Sequence, residues 1–224
     1  MIRYENEGTG GTAYLAVPKT GSGPGVLVLH AWWGLNDFFK GFCDRLSKAG
    51  FVALAPDLYN GQIATTVPEA EDLLKKKGVF SNTEATNKSV MGALQYLRTH
   101  PSVRGGKLGV IGFSMGGFWA LWLSGEAPES IRAVVDFYSY GEGDFAKSRA
   151  DYLGHFATKD DYEPIDGIRK LENTLRSAGK NVTFHFYDNV GHWFFEENRP
   201  DAFNERAASL AWDRTLTFLR QKLI

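Results

Sequence analysis

The sequence of 224 residues has only one cysteine and almost no net charge. Cys43 cannot form an intrachain disulfide bond, and a single thiol cannot build a cysteine-based metal cluster. The formal net charge of -1 gives no electrostatic reason to expect nucleic acid or an anionic membrane as a partner. These absences exclude a disulfide-stabilised scaffold and argue against a polyanion-binding protein.

Long apolar runs are also missing from the sequence. No run approaches the roughly 18 residues that indicate a membrane-spanning helix. Residues 1–5 lack the apolar core of a secretory signal peptide. We therefore expect a cytoplasmic protein with no membrane partner.

Strand-like and helix-like segments alternate along the whole chain. Unbroken aliphatic runs are typical of strands that are buried on both faces of a parallel sheet. Strands are predicted over 12–17, 26–29, 51–55, 107–112, 131–138, 152–157 and 182–187. Helices are predicted over 36–49, 68–77, 81–98, 164–178 and 201–222, with another after Gly117. This alternation predicts one α/β domain over residues 1–224, with a mostly parallel sheet and helices on both faces.

The most informative segment is 112–117, with the sequence Gly-Phe-Ser-Met-Gly-Gly. It joins the apolar run at 108–111 to the apolar segment at 118–123. A serine flanked by glycines between a strand and a helix is the layout of a nucleophile elbow, in which a strained turn exposes the hydroxyl group. An ordinary Gly-Ser turn that enters a helix is the alternative, so partner residues must decide between the two.

Two later loops supply such partners for Ser114. Parallel sheets place their sites at the carboxyl ends of the strands. Asp160 and Asp161 follow the strand at 152–157, and His192 follows the last strand. A histidine can take the serine proton, and a carboxylate can orient the imidazole, in the chain order expected for an elbow serine. Spacing hardly separates the two acids, and we favour Asp160.

The other histidines have simpler interpretations. His155 and His185 lie inside predicted strands, where a packed or hydrogen-bonded imidazole is expected. His100 precedes a proline at a helix end, which indicates a surface position. His30 lies in the loop after the second strand, and we expect it to shape that loop.

Three further segments carry a resemblance to a known family. They are 29–36 (LHAWWGLN), 55–59 (APDLY) and the tail formed by 191–194 (GHWF) with 199–203 (RPDAF). Together with the elbow, and in this order, they resemble the dienelactone hydrolase family over almost the whole chain. The resemblance implies an α/β-hydrolase fold without a large lid domain. It also implies that Asp160, four residues before Pro164, is the acid, and that the backbone N–H groups of Trp32 and Met115 form an oxyanion hole.

Three positions depart from the family pattern. Ser114 stands where the best-known members have a cysteine, and Ala31 stands where they have a glutamate that helps to form the thiolate. Glu196 stands where one of two substrate-clamping arginines is expected, and the stretch 65–77, where the other should fall, contains no arginine. A glutamate cannot bind a substrate carboxylate as an arginine does. We therefore expect a substrate other than dienelactone or a small anionic lactone.

The sequence thus predicts a serine hydrolase that cleaves small to medium carboxylic esters or lactones through an acyl-enzyme. Ser114 is the predicted nucleophile, His192 the base and Asp160 its orienting acid, with no cofactor and no metal. Aromatic residues of the site loops are expected to line the substrate pocket, although about half of them could instead pack the interior: Trp33, Tyr138, Trp193 and Phe194. We expect a monomer or small homo-oligomer.

Other functions remain open on the sequence alone. The same triad can support dienelactone or lactone hydrolysis, thioester cleavage, or perhydrolysis with peroxide in place of water. A ligand-binding sensor with a vestigial hydrolase site is a further alternative, because a fold does not fix a function.

Overall fold

A computed structural model describes residues 1–6 and 9–224 of the chain. Its strands are β1 (Ile2–Asn6), β2 (Thr9–Ala16), β3 (Gly23–Leu29), β4 (Val52–Pro56), β5 (Val103–Phe113), β6 (Ile131–Phe137), β7 (Asp151–Ala157) and β8 (Val182–Tyr187). Its helices are α1 (Asp37–Lys48), α2 (Val67–Lys77), α3 (Thr83–Thr99), α4 (Met115–Glu126), α5 (Ile165–Ser177) and α6 (Glu205–Leu223). Within the described ranges, no helix combines the length and the apolar composition that a membrane span requires.

The chain divides into two compact units, Met1–Leu108 and Gly109–Ile224. In the first unit the strand order is β1-β2-β4-β3, followed by the start of β5, and β3 runs parallel to β4. In the second unit the order is the end of β5, then β6, β7 and β8, with β6, β7 and β8 parallel to one another. The eight strands confirm the predicted α/β fold with a mostly parallel sheet. That residues 1–224 form one domain stays a prediction.

The strand and the helix on either side of the elbow are buried because their side chains are mostly apolar. β5 is buried from Leu108 to its end at Phe113. α4 is apolar from Met115 to Leu123, and Trp119, Leu121 and Leu123 are all buried. A helix segment that is apolar on every side lies in the interior, so the elbow joins two buried segments.

Several predicted helix starts differ from the structure. The helix predicted to start at Ser81 is α3, which begins at Thr83 without a side-chain cap, and Glu84 binds Lys88 at 2.6 Å. A capping box forms at α2, where the Thr66 hydroxyl accepts from the Glu69 N–H and the Glu69 carboxylate accepts from the Thr66 N–H.

α6 begins at Glu205, four residues later than the predicted start at 201. The Asn204 side chain accepts a hydrogen bond from the Ala207 N–H at 3.0 Å and thereby caps the helix. Residues 201–204 lie outside the helix. The cap, rather than the apolar spacing, sets where the helix starts.

Candidate active site

Ser114 lies at the junction between β5 and α4 with φ of 50° and ψ of -117°. A positive φ is strained for a residue with a side chain, and neighbouring contacts must hold it. The Ser114 N–H donates to the Phe137 carbonyl at 2.9 Å, and the Ser114 carbonyl accepts from the Gly117 N–H at 2.7 Å. A Cβ at position 112 would overlap the Gly116 backbone, so the strand and the helix meet this closely only because Gly112 has no side chain.

The structure brings Ser114, His192 and Asp160 together in one hydrogen-bonded series. Ser114 Oγ lies 2.9 Å from His192 Nε2, and His192 Nδ1 lies 2.7 Å from Asp160 Oδ2. A carboxylate beside Nδ1 favours the tautomer with its hydrogen on Nδ1, which leaves Nε2 able to accept the serine proton. The side chains of His192 and Asp160 are only 3% and 2% exposed, so water hardly competes for this contact.

The loop after β7 holds Asp160 through its own backbone. Asp160 Oδ1 accepts hydrogen bonds from the N–H groups of Tyr162 and Glu163, both at 2.9 Å. The second oxygen is thereby left for His192. Asp161 is exposed, and in the part of the chain that the structure describes it is the Asp160 carboxylate that reaches His192.

Three aromatic rings surround the imidazole of His192. Their ring centroids lie 4.8 Å (Tyr138), 5.2 Å (Tyr162) and 5.0 Å (Trp193) from that of His192. Tyr138 and Trp193 have positive φ values of 42° and 63°, so the loops hold strained backbone to present these rings. The rings keep the imidazole in one orientation and limit its contact with water.

Burial separates the aromatic residues that were expected to line the pocket. Trp33, Tyr138 and Phe194 are at most 1% exposed, and this burial favours the interior-packing alternative for them. Trp193 is 6% exposed and borders a cavity of about 440 Å³ that His192 and Tyr162 also line. A pocket role for Trp193 therefore stays a prediction.

Glu196, at the position of the expected arginine, is completely buried. The Tyr138 hydroxyl donates to Glu196 Oε1 at 2.8 Å. Burial and the charge of Glu196 raise the pKa of Tyr138 well above its ordinary value, so Tyr138 stays a hydrogen-bond donor. Sequence reasoning missed this pair, because no local pattern connects two residues so far apart in the chain.

The two residues proposed as oxyanion donors belong to different units, and each comes shortly after a strand. Met115, directly after Ser114, is the first residue of α4, where the helix dipole favours negative charge. Trp32 lies in the loop after β3 in the first unit, beside the buried Ala31. The oxyanion role of both N–H groups stays a prediction.

The remaining buried histidines have structural partners, as predicted. His155 lies between the Tyr187 hydroxyl at 2.8 Å and the Thr215 hydroxyl at 3.0 Å, and its burial lowers its pKa well below the ordinary value. In the first unit, His30 Nε2 accepts from the Leu58 N–H at 3.2 Å, and His30 Nδ1 lies 2.7 Å from the Ala31 carbonyl. His30 therefore ties together the loops that follow β3 and β4.

Comparisons with known proteins place this geometry in context. The model of the dienelactone hydrolase family matches residues 12–223. The protein named "Protein usf" from Aquifex pyrophilus is 32% identical over 234 residues, covering 100% of this chain and 98% of that protein. A Bradyrhizobium protein named "Probable 2-oxo-3-(5-oxofuran-2-ylidene)propanoate lactonase" is 33% identical over 225 residues. The match covers 94% of this chain and 89% of the length of that protein.

A solved structure gives the same fold at lower identity. The crystal structure of a dienelactone hydrolase-like promiscuous phosphotriesterase from metagenomic libraries superimposes with a TM-score of 0.88. It is 21% identical and covers 100% of this chain and 97% of that chain. This similarity supports the shared fold, with no large additional domain in either chain.

Proposed function

Because the chain belongs to the dienelactone hydrolase family, whose members hydrolyse esters and lactones, we propose that it cleaves small to medium uncharged carboxylic esters or lactones with a serine nucleophile. The observation that carries the proposal is the series of hydrogen bonds from Ser114 through His192 to Asp160. A serine hydroxyl is a weak nucleophile unless an adjacent base takes its proton, and this series supplies that base.

Acylation begins when Ser114 Oγ attacks the carbonyl carbon of the ester and His192 Nε2 takes the hydroxyl proton. Asp160 stabilises the imidazolium that forms. The Met115 N–H donates a hydrogen bond to the carbonyl oxygen and stabilises the negative charge that develops there. His192 then gives its proton to the leaving alcohol oxygen as the carbon–oxygen bond breaks, and an acyl-enzyme remains.

Deacylation repeats these steps with water. His192 removes a proton from the water molecule as its oxygen attacks the acyl carbon, and Ser114 leaves with the proton that His192 returns. The carboxylic acid product then departs. With a lactone, the alcohol and the acid belong to one molecule, so the product is a hydroxy acid.

The absence of arginine at the two places where the family pattern has one supports an uncharged substrate. Glu196 stands at an arginine position of the family, and its buried carboxylate accepts from Tyr138. The stretch 65–77 contains no arginine either. A substrate carboxylate would therefore lack the paired guanidinium groups that bind carboxylates well.

The direct test compares wild type with S114A in the hydrolysis of p-nitrophenyl acetate. Loss of the nucleophile should lower kcat by about 10⁴- to 10⁶-fold. The matched control is S209A, which removes an exposed hydroxyl from α6 and should leave kcat unchanged. Equal turnover by wild type and S114A would contradict the mechanism. Stoichiometric labelling of Ser114 by a fluorophosphonate probe would separate an enzyme from a ligand-binding sensor.

The likeness to the Bradyrhizobium protein, which is named as a lactonase, favours a second candidate: hydrolysis of lactones that carry a carboxylate. A pair of lactones with the same ring, one bearing a carboxylate and one without it, separates the two candidates. We expect the higher kcat/KM with the uncharged lactone. A preference for the anionic lactone would favour the second candidate and would require another cationic group to bind it.

A further inference from the structure

A large cavity of the second unit lies beside the segments that hold two of the proposed triad residues. It has a volume of about 740 Å³, and the residues that line it come from α4, the segment after β6, the loop after β7 and α5. A volume of this size is within the range of small-molecule sites in proteins. The cavity is therefore a candidate site for a part of the substrate that extends beyond the ester group.

Two walls connect the cavity to the triad. Phe118, the fourth residue of α4, donates its N–H to the Ser114 carbonyl at 3.3 Å. The helical rise of about 1.5 Å per residue places Phe118 about 6 Å along the axis from Ser114. On the other wall, the Tyr162 N–H donates to Asp160 Oδ1 at 2.9 Å, and the Tyr162 ring centroid lies 5.2 Å from that of His192. A group bonded to Ser114 Oγ therefore reaches the cavity by extending about one helical turn.

The cavity combines exposed aromatic rings with an apolar interior. Tyr140 and Tyr162 are 41% and 45% exposed, so their rings stand where a ligand can contact them. Phe145 and Leu171 are buried and make the interior of the cavity apolar. Aromatic side chains bind another ring favourably by offset stacking or by edge-to-face contact. The lining therefore favours an apolar ring as the occupant.

Glycines hold two of the aromatic rings against the backbone. A Cβ on Gly141 would overlap the Phe118 ring, and a Cβ on Gly167 would press on the Tyr140 ring at 3.0 Å. Each ring therefore lies close to a backbone position that has no side chain, and this contact restricts the movement of the ring. Rings that are already held in place lose little freedom when a ligand binds, so more of the contact free energy remains as affinity.

The charged residues that line the cavity do not favour an anionic occupant. Glu142 and Lys170 are exposed, and Glu163 is half-buried. Two carboxyl groups beside one ammonium group do not provide the paired cationic groups that bind a carboxylate well. An uncharged group therefore suits this cavity better than an anionic one.

We propose that this cavity binds an aromatic ring on the acyl side of the substrate and that Tyr140 is a specificity-determining residue. The inference rests on the proposed function and narrows its substrate class to uncharged esters of aryl-substituted carboxylic acids, such as hydrocinnamic acid. The acyl carbon bonds to Ser114, from which α4 continues to Phe118 in the cavity wall. A ring on the acyl side therefore keeps its place through acylation and deacylation, and its binding holds the carbonyl carbon beside the nucleophile.

The kinetic test compares p-nitrophenyl hydrocinnamate with p-nitrophenyl acetate, two esters that share a leaving group. In wild type, kcat/KM should be about tenfold higher with the hydrocinnamate. Y140A removes an exposed ring and should lower kcat/KM for the hydrocinnamate by about 3- to 10-fold, with kcat/KM for the acetate within about twofold of wild type. Y140F keeps the ring, so this matched control should keep the wild-type preference. An equal loss with both esters, or a wild type that prefers the acetate, would overturn the proposal.

A second series keeps the acetyl group and varies the alcohol. Y140A should leave the ratio of kcat/KM for hydrocinnamyl acetate to that for propyl acetate unchanged. A fall of this ratio in Y140A, with the acyl series unaffected, would place the ring on the alcohol side and overturn the assignment.

A binding test needs no turnover. Hydrocinnamamide, an uncharged analogue of the acyl group, is titrated into isotope-labelled wild type, with acetamide as the control ligand. The backbone amide resonances of Gly141, Gly143 and Gly167, which line the cavity, should shift with hydrocinnamamide and stay in place with acetamide. Y140A should weaken this binding, and Y140F should retain it. Shifts confined to other residues would overturn the proposal, whereas a wild type without ester turnover that still shows the predicted shifts would contradict the proposed function alone.

Discussion

Replacing Asp160 by asparagine changes one atom of the side chain and tests the whole hydrogen-bonded series. In wild type, one carboxylate oxygen accepts from two backbone N–H groups at 2.9 Å, and the other lies 2.7 Å from His192 Nδ1. In D160N the amide oxygen can keep the two backbone hydrogen bonds. The amide NH₂ group must then face Nδ1, and because it is a donor it forces the imidazole hydrogen onto Nε2.

The magnitude follows from this change of tautomer. A hydrogen on Nε2 points at Ser114 Oγ, so His192 cannot accept the serine proton, and the imidazolium loses its counter-charge. We expect kcat to fall by about 10⁴-fold, which corresponds to about 5 kcal/mol of lost transition-state stabilisation. The melting temperature should change little, because the backbone hydrogen bonds of the loop remain.

The assay is p-nitrophenyl acetate hydrolysis at a fixed pH, with thermal unfolding measured on the same preparations. D161N is the matched control, because it makes the same chemical change at the exposed neighbouring residue, and its kcat should stay within about twofold of wild type. A D160N enzyme that retains more than about a tenth of wild-type kcat would refute the reasoning, as would an equal loss in D161N.

Two further predictions concern stability. G117A should lower the free energy of unfolding by about 1–3 kcal/mol in urea, because the new Cβ would overlap Asp136. The control is G41A in α1, where a new Cβ meets nothing within 4 Å. We expect G41A to raise the free energy of unfolding by about 0.5–1 kcal/mol. A loss of the same size in both variants would contradict the overlap argument. Y138F removes the hydroxyl that donates to the buried carboxylate of Glu196. Urea unfolding should show that the free energy of unfolding falls by about 1–3 kcal/mol. An unchanged midpoint would mean that this hydrogen bond contributes nothing to stability.

The sequence predicted the parts of the site that depend on local patterns. Ser114 could be singled out because an elbow needs glycines at fixed offsets, and His192 because it follows a strand in a short loop. The strand over 182–187 was predicted with the bounds of β8. Such features are encoded within a few residues of one another, so one sequence suffices to find them.

Other features depend on contacts that one sequence does not reveal. Asp160 and Asp161 are equivalent in spacing, and only the path of the backbone directs Asp160 toward His192. β1 was not predicted, because a strand of five residues that includes Arg3, Glu5 and Asn6 has little strand signal until it pairs with β2. The Tyr138 partner of Glu196 comes from a distant segment, and long-range packing brings the two together.

The way Asp160 is held has a consequence for how the sequence can change over evolutionary time. Its Oδ1 binds N–H groups two and three residues further along, so the turn depends on backbone atoms that every non-proline residue provides. Substitutions at Asp161 or Tyr162 keep these donors, whereas a proline at position 162 or 163 or a one-residue deletion removes or misplaces them. Selection should therefore constrain the length of this segment and the identity of residue 160 more strongly than the side chain of Asp161.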